Sequence, residues 1–369
     1  MDWQGHTILA PLTRGGNLPF RRLCVEFGAG VTVSEMAYAR QLARGSRSEL
    51  ALVRKHPTET RFGVQIAASN PDDAVRAGAI AIEHGAAFVD VNAGCPIHDV
   101  VRRGMGATLL QRPVVLARIA GALVRTLSVP ITVKIRTGWC EDDVNASVLA
   151  ARLEDAGIAA LTVHGRTREQ RYTKAADWNL IARLVSERTI PVIGNGDVLT
   201  HFEAERRSYE SACASLMLGR GALIKPWLFA EIRRRQEWLP SAAERVQVYM
   251  RLVQFMKEHF GDDARGRKKA SYFLPWHLSF LCRYRPLPER EFAAVSRQHP
   301  LMQSRVDPGD EISPVERVLR DARETVHVAI ADILWTSADS GEALSRLEVL
   351  SAQVPEAAES RLEFDSGHG

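Results

Sequence analysis

Short runs of apolar, mostly β-branched residues recur along the first two-thirds of the chain, and segments with helical spacing separate them. The runs are Ile8–Pro11, Val31–Ser34, Gly63–Ala67, Phe88–Asn92, Ile131–Arg136, Ala160–His164, Val192–Asn195 and Ala214–Leu218. Between them lie amphipathic stretches such as Asp72–His84, Val114–Thr126, Val144–Ala156 and Asn179–Glu187. Continuous apolar runs read as strands buried on both faces, and a 3.6-residue period reads as a surface helix. Eight strand-then-helix units over about 230 residues predict an α/β fold, a (β/α)8 TIM barrel. A doubly wound open sheet fits the alternation too, but it usually carries fewer strands and a Gly-x-Gly-x-x-Gly turn after the first. Here the first run ends in Ala10-Pro11-Leu12-Thr13, which favours the barrel.

After Pro240 the pattern changes. Ala242–His259 and Arg267–Cys282 read as helices, the second interrupted at Pro275. Pro286, Pro288, Pro300 and Pro308 punctuate a connecting region, and Val315–Trp335 and Glu342–Leu350 read as further helices. The expected organisation is a barrel over 1–240, an all-helical domain over 241–350 and a flexible tail over 351–369.

Composition narrows the class. With 369 residues, 46% of them hydrophobic, the chain can bury one large barrel and a smaller domain. The N-terminal residues lack the basic-then-apolar layout of a signal peptide, and no apolar run approaches the roughly 20 residues of a membrane span. Cys24, Cys95, Cys140, Cys213 and Cys282 are odd in number, widely spaced and without a Cys-x-x-Cys pair. Neither a disulfide framework nor a metal site is expected, and a reducing cytoplasm is the natural location. Net charge is +4, concentrated between Ser241 and Pro300, where eleven Lys/Arg face six Asp/Glu. A basic C-terminal module on a neutral body points to a polyanionic partner.

Barrel enzymes place their chemistry at the C-terminal ends of the strands. Here those ends carry Gln65, then Asn92 with Gly94-Cys95-Pro96, Lys134 and Arg136, His164-Gly165-Arg166, Asn195-Gly196-Asp197, and Gly219-Arg220-Gly221. A barrel core alone explains none of them. The last two loops are Gly-rich and resemble phosphate cradles, with Arg220 adding charge. Lys134 reads either as an interior lysine paired with a carboxylate or as a cation beside a cofactor's electron-rich edge. Cys95, between Gly94 and Pro96, reads either as a small buried apolar residue or as an acid, since a thiol of ordinary pKa (about 8.5) holds its proton at neutral pH. His164 reads as a core histidine or as a ligand for cofactor or substrate. Asp90 and Glu35 lie near strand ends and are not expected to make direct contacts.

Taken together, Asn92-Ala93-Gly94-Cys95-Pro96, His164-Gly165-Arg166-Thr167, Phe62-Gly63-Val64-Gln65, Val133-Lys134-Ile135-Arg136-Thr137-Gly138 and Gly194-Asn195-Gly196-Asp197 resemble the tRNA-dihydrouridine synthase family. The segments Gly16-Asn17-Leu18-Pro19-Phe20-Arg21-Arg22, Gln170-Arg171-Tyr172-Thr173-Lys174, Lys225-Pro226-Trp227-Leu228-Phe229 and Leu278-Ser279-Phe280-Leu281-Cys282-Arg283-Tyr284 are closest to the eukaryotic subgroup acting on tRNA position 47. That subgroup carries zinc-finger segments before its barrel, and this sequence contains no such segment. The resemblance implies bound FMN, with Pro11, Leu12 and Thr13 lining its ring. Gln65, Lys134 and His164 would hold ring and ribityl groups, and Asn195, Gly196, Asp197, Gly219 and Arg220 the phosphate. NADPH, or NADH, would be the reductant. A flipped-out uridine would receive hydride at C6 and a proton from Cys95 at C5, oriented by Asn92, Arg136 and Arg166. Arg265, Arg267, Lys268, Lys269, Arg283 and Arg285 would grip the tRNA backbone, although a solvated basic face explains the same residues. A monomer is expected. The competing reading is an FMN barrel reductase of a small molecule, similar to dihydroorotate dehydrogenase, which does not predict the basic helical module.

Overall fold

The computed structural model describes residues 1–304 and 312–354. Nine strands form one sheet: β1 (Thr7–Leu9), β2 (Val31–Val33), β3 (Ala37–Tyr38), β4 (Phe62–Ala67), β5 (Phe88–Ala93), β6 (Ile131–Arg136), β7 (Ala160–His164), β8 (Val192–Asn195) and β9 (Ser215–Leu218). All pairings between them are parallel. β1 pairs with both β2 and β9, and β2 pairs with β4, so eight strands close into a TIM barrel and β3 extends one edge of β4. The eight predicted strands correspond one to one with the barrel strands.

The two-residue period of each strand divides the side chains. Leu9, Val64, Ile66, Val89, Val91, Val133, Ile135 and Val163 pack in the layer that includes the surrounding helices. Ile8, Val31, Val33, Phe88, Ala160, Ile193 and Met217 form a second cluster with Trp3. Phe88 meets Trp3 edge-on at 4.9 Å and occupies the space where a side chain on Gly63 would sit, 2.1 Å from the added carbon. On β5 the same parity as Phe88 continues through Asp90 to Asn92, and on β6 it carries Thr132, Lys134 and Arg136. One end of the barrel interior is therefore filled with apolar side chains, and the other end is polar.

Beyond the barrel, the helix Ala242–Phe260 docks on the helix Leu18–Glu26, and the helix Ala264–Leu281 packs on Ala242–Phe260 and on the short helix Arg220–Ile224 at the end of β9. A capping box of Ser241 and Glu244 starts the first. Arg22 pairs with Glu258 at 2.7 Å and stacks on Phe255 at 3.9 Å. Asn17 caps its own helix through Phe20 N–H and meets His277 Nε2 at 2.9 Å.

Three expectations for this helical region differ from the structure. The helix Ala264–Leu281 runs through Pro275 without ending. The connecting region contains the helix Glu289–Gln298, because Pro288 at its N-cap and Pro300 past its end bound a helix instead of breaking one. The stretch Val315–Trp335 is two helices, Pro314–Leu319 and Glu324–Thr336. Asp321 divides them: its carboxylate accepts from Arg323 N–H at 2.8 Å, and its carbonyl meets His327 Nε2 at 2.7 Å, so local bonds replace the helical ladder. The last helix extends over Ser340–Gln353. Residues 355–369, most of the expected tail, and Pro308 lie outside the described residues.

Candidate active site

A cavity of about 470 Å³ opens at the polar end of the barrel. Every strand-end residue named above as a catalytic, cofactor or substrate candidate lines it. Pro11, Leu12 and Thr13 follow β1; Gln65 comes from β4, Asn92 and Cys95 from the end of β5, and Lys134 and Arg136 from β6. His164 and Arg166 come from β7, Asn195 to Asp197 from β8, and Gly219 and Arg220 from β9. The register explains the convergence. Asn92 lies beside Lys134, Arg136 beside His164, and His164 beside Asn195, so one layer of neighbouring strands carries the polar set.

Asn92 shapes the turn that carries Cys95. Its Oδ1 accepts from the backbone N–H of Gly94 at 3.1 Å and of Cys95 at 2.9 Å. Burial pushes the Cys95 thiol up, against smaller opposing effects from the Ile97 backbone and from Arg136 and Lys134. It therefore keeps its proton at neutral pH. Lys134 donates to Asn195 Oδ1 at 3.0 Å. Burial, with Arg136 nearby, lowers its ammonium to about 8, while Asp90 partly opposes that.

His164 is neutral. Burial and the surrounding Arg136, Lys134, Arg166 and Arg220 hold it well below its ordinary value. Arg166 Nη1 stands 3.3 Å from its Nε2. A guanidinium only donates, so Nε2 accepts and Nδ1 carries the proton.

Arg166 is fully buried and committed to the protein. Nη2 forks onto both oxygens of Asp197 at 2.7 and 2.6 Å, and Nε donates to the Lys174 carbonyl. Expected to orient the substrate, it lines the cavity with its charge answered by Asp197, as a buried cation requires. Asp197 also accepts from Arg220 at 3.1 Å. Its carboxylate faces two cations and is not free to meet a phosphate; what it can offer an anion is backbone, held at φ +46° after Gly196 at φ +140°. Arg220 stacks on Tyr172 at 4.0 Å.

The six basic candidates of the helical region separate. Arg265, Arg267, Lys268 and Lys269 stand exposed at the start of their helix, away from the cavity. Arg283 lines the cavity. Arg285 is half-buried, and its Nη1 donates to the Cys282 and Tyr284 carbonyls of its own turn at 2.9 and 2.7 Å.

Sequence reasoning missed the far wall. Trp276, Phe280, Met302 and Gln303 also line the cavity, and Gln303 Nε2 holds the Tyr172 and Lys174 carbonyls at 3.1 and 2.9 Å. Of this set Tyr172, Lys174 and Phe280 stood in segments that the motifs single out, without a role at the cavity. Among the described residues no group of three His, Cys, Asp or Glu could hold a metal, and no helix is long and apolar enough to cross a membrane.

A TIM barrel that gathers a thiol, a lysine and a buried histidine around one cavity at its strand ends has its candidate site where barrel enzymes carry their chemistry. The chain belongs to the dihydrouridine synthase family: the family model "Dihydrouridine synthase (Dus)" matches residues 8–298. It is 44% identical over 289 residues to a human protein named tRNA-dihydrouridine(47) synthase-like, covering 78% of this chain and 44% of that protein. It is 42% identical over 324 residues to a tRNA-dihydrouridine(47) synthase of Coprinopsis cinerea, covering 83% of this chain and 48% of that protein. Both names specify NAD(P)(+). The chain thus spans less than half the length of these relatives. Among solved structures, a 2-naphthoyl-CoA reductase complex matches with a TM-score of 0.51 at 14% identity, over 63% of this chain and 50% of that one, a likeness of fold.

Proposed function

We propose that this chain reduces the C5=C6 bond of a specific uridine in tRNA to 5,6-dihydrouridine, with NADPH (or NADH) as reductant, FMN as bound cofactor and Cys95 as proton donor to C5. The observation that carries this reading is the single cavity shared by the Cys95 thiol, Lys134 and the Asn195–Arg220 end. Its donor set fits FMN. Pro11, Leu12 and Thr13 offer a surface for a flat ring, Lys134 a cation for the edge that gains negative charge, and the Gly196 and Gly219 backbone with Arg220 a place for a phosphate. The indole Nε1 of Trp276 is buried without a partner in the same lining, as a donor reserved for a ligand would be.

When bound, FMN supplies the hydride for C6. The chain's own residues supply the rest. Cys95, kept protonated by burial, delivers the proton to C5, so the double bond gains one hydride and one proton. Asn92 fixes the backbone from which the thiol projects. Arg136, anchored to the Gly94 and Thr167 carbonyls, stands beside the Cys95 loop and orients the base. Arg166 holds Asp197 and His164 in place. Arg283 at the mouth and Arg265, Arg267, Lys268 and Lys269 on the outer helix attract the RNA backbone, and the protein acts as a monomer in the cytoplasm.

The test is to give the purified protein NADPH and unmodified tRNA and to map dihydrouridine. The names of the relatives make position 47 the first to examine. NADPH consumption with a small enone or dihydropyrimidine, and none with tRNA, would establish the small-molecule reading instead.

A further inference from the structure

Asp90 lies in the middle of β5, 2% exposed and outside the cavity lining. The chemistry above does not use it, yet its carboxylate ends a chain of hydrogen bonds that begins on the backbone of Cys95. The direction of each bond follows from the first. Backbone N–H groups only donate, and those of Gly94 and Cys95 both meet Asn92 Oδ1. The Asn92 amide is thereby oriented, and its Nδ2 donates to Gln65 Oε1 at 2.8 Å. That orients Gln65, whose Nε2 donates to Asp90 Oδ2 at 2.7 Å. Only an acceptor serves at that point, and a carboxylate is the strongest one. Its other oxygen accepts from Thr132 Oγ1 at 2.6 Å. Burial pushes the Asp90 carboxyl up, while these two bonds and Lys134 hold it down.

The opposite side of the Cys95 turn has a fixed floor. The Cys95 carbonyl accepts from Ala107 N–H at 3.0 Å. Gly106, at φ +59°, lies so close that a side chain there would meet Cys95 O at 2.7 Å and Cys95 Cβ at 3.2 Å. What remains to be fixed is the N–H side, and the amide chain from Asp90 does so.

We propose that Asp90 is a positioning residue: acting through Gln65 and Asn92, it fixes the polarity of both amides and so the aim of the Cys95 thiol. The proposal rests on the reading of Cys95 as proton donor. Two side-chain amides in series can turn over when nothing pins them, and an unpinned Asn92 no longer presents its oxygen to the turn.

Three variants test it. Asp90→Ala removes the acceptor. Asp90→Asn retains one, since its Oδ1 can face Gln65 while its Nδ2 donates to Thr132 Oγ1, so the polarity survives without the charge. Asp90→Leu is nearly isosteric and removes the acceptor without leaving a cavity. Each protein is reduced anaerobically with NADPH and mixed with tRNA, and dihydrouridine formed in one turnover is followed. In parallel, the alkylation rate of Cys95 by iodoacetamide is read by mass spectrometry on the protein as purified. Asp90→Ala and Asp90→Leu are expected to slow the single turnover about ten-fold or more, the loss of one hydrogen bond to a charged acceptor, at unchanged KM for tRNA. Their Cys95 alkylation rates shift several-fold in either direction. Asp90→Asn stays within about three-fold of wild type on both readouts. Wild-type rates in Asp90→Ala overturn the proposal. So does Asp90→Asn falling as far as Asp90→Ala, which assigns the effect to charge. If Asp90→Ala does not fold, Asp90→Leu decides. If wild type itself makes no dihydrouridine, the functional reading fails, and the alkylation rates still test the amide chain.

Discussion

The barrel mouth and the first turns of the helix Ala264–Leu281 both carry cations, and they hold them in opposite ways. At the mouth, Arg166 is fully buried and clamped on Asp197, Arg136 is bonded to two carbonyls, and Lys134 rests on Asn195. On the helix, Arg265, Lys268 and Lys269 are exposed, and Arg267 pairs with Asp332 with both partners about half exposed. A buried charge must be paired, and pairing fixes its position. An exposed one keeps its hydration and acts through its field alone. The mouth can therefore work by geometry and the helix by electrostatics. Substitutions at the mouth should appear in the rate of chemistry, and those on the helix in KM and its salt dependence.

The sharpest way to break that contrast is Cys95→Ala. The loss of a general acid predicts a fall in dihydrouridine formation of about a hundred-fold or more, with NADPH oxidation by oxygen retained. An undiminished yield, read by mass spectrometry of digested tRNA, would remove the thiol from the chemistry and leave the mouth without its acid. Lys134 should come next. Its ammonium is lowered to about 8 from an ordinary 10.4, so it is charged at neutral pH and loses its proton as pH rises through that value. Flavin reduction is expected to decline above about pH 8. Lys134→Ala should slow it about ten-fold at pH 7 and abolish that alkaline limb. A wild-type rate profile in the variant, followed by stopped-flow absorbance, would reduce Lys134 to a structural lysine.

The same contrast explains what could be read from the sequence. The barrel was legible because eight apolar runs repeat and because parallel register puts equivalent strand ends in one layer. Cys95, Lys134, His164 and Asn195 were found by that rule, and the cavity gathers them. The roles of Arg166 and Asp197 were not legible, because a strand-end position does not reveal that two neighbouring loops spend their charges on each other. Trp276 and Gln303, and the place of Phe280 at the cavity, escaped for a different reason. They reach the mouth from more than fifty residues after β9, and helical spacing alone does not say which face a docked helix turns to a barrel. Asp321 escaped as well: a polar residue in a helical pattern reads as an exposed position until its local bonds are seen to end the helix.

The docking itself can be measured, with a smaller effect. Asn17 caps its helix and also meets His277, which stacks on Phe20 at 4.7 Å. Asn17→Ala should lower stability by about 1–2 kcal/mol, read from the urea midpoint. His277 adds a pH dependence. Asn17 Nδ2 donates to its ring, and burial lowers the ring to about 3, against about 6.5 in an unfolded chain. The native state refuses a proton that the unfolded chain accepts. This contribution to stability is complete above about pH 6.5 and is lost progressively as pH falls from there towards 3. His164, also buried and lowered, acts in the same direction. A urea midpoint unchanged between pH 7 and pH 5 would contradict the neutral, buried state of both rings.

The smallest effects are expected on the outer helix, and there the comparison can be sharpened within one turn. Lys268 and Lys269 are both exposed, and the contact of Lys269 is a loose one, its ammonium 5.9 Å from the centre of the Phe260 ring, so each can turn to a phosphate at little cost. Arg267 must first leave Asp332, a surface pair worth about 0–1 kcal/mol. The double variant Lys268→Ala with Lys269→Ala should raise KM for tRNA several-fold and lower the slope of log affinity against log salt by about 1–2. Arg267→Ala should change both by less, since its charge is already partly answered. Turnover at saturating tRNA should stay the same in both proteins, because neither alters the mouth. A fall in that saturated rate would mean that the outer helix takes part in aligning the uridine, and the division between a region of geometry and a region of charge would fail.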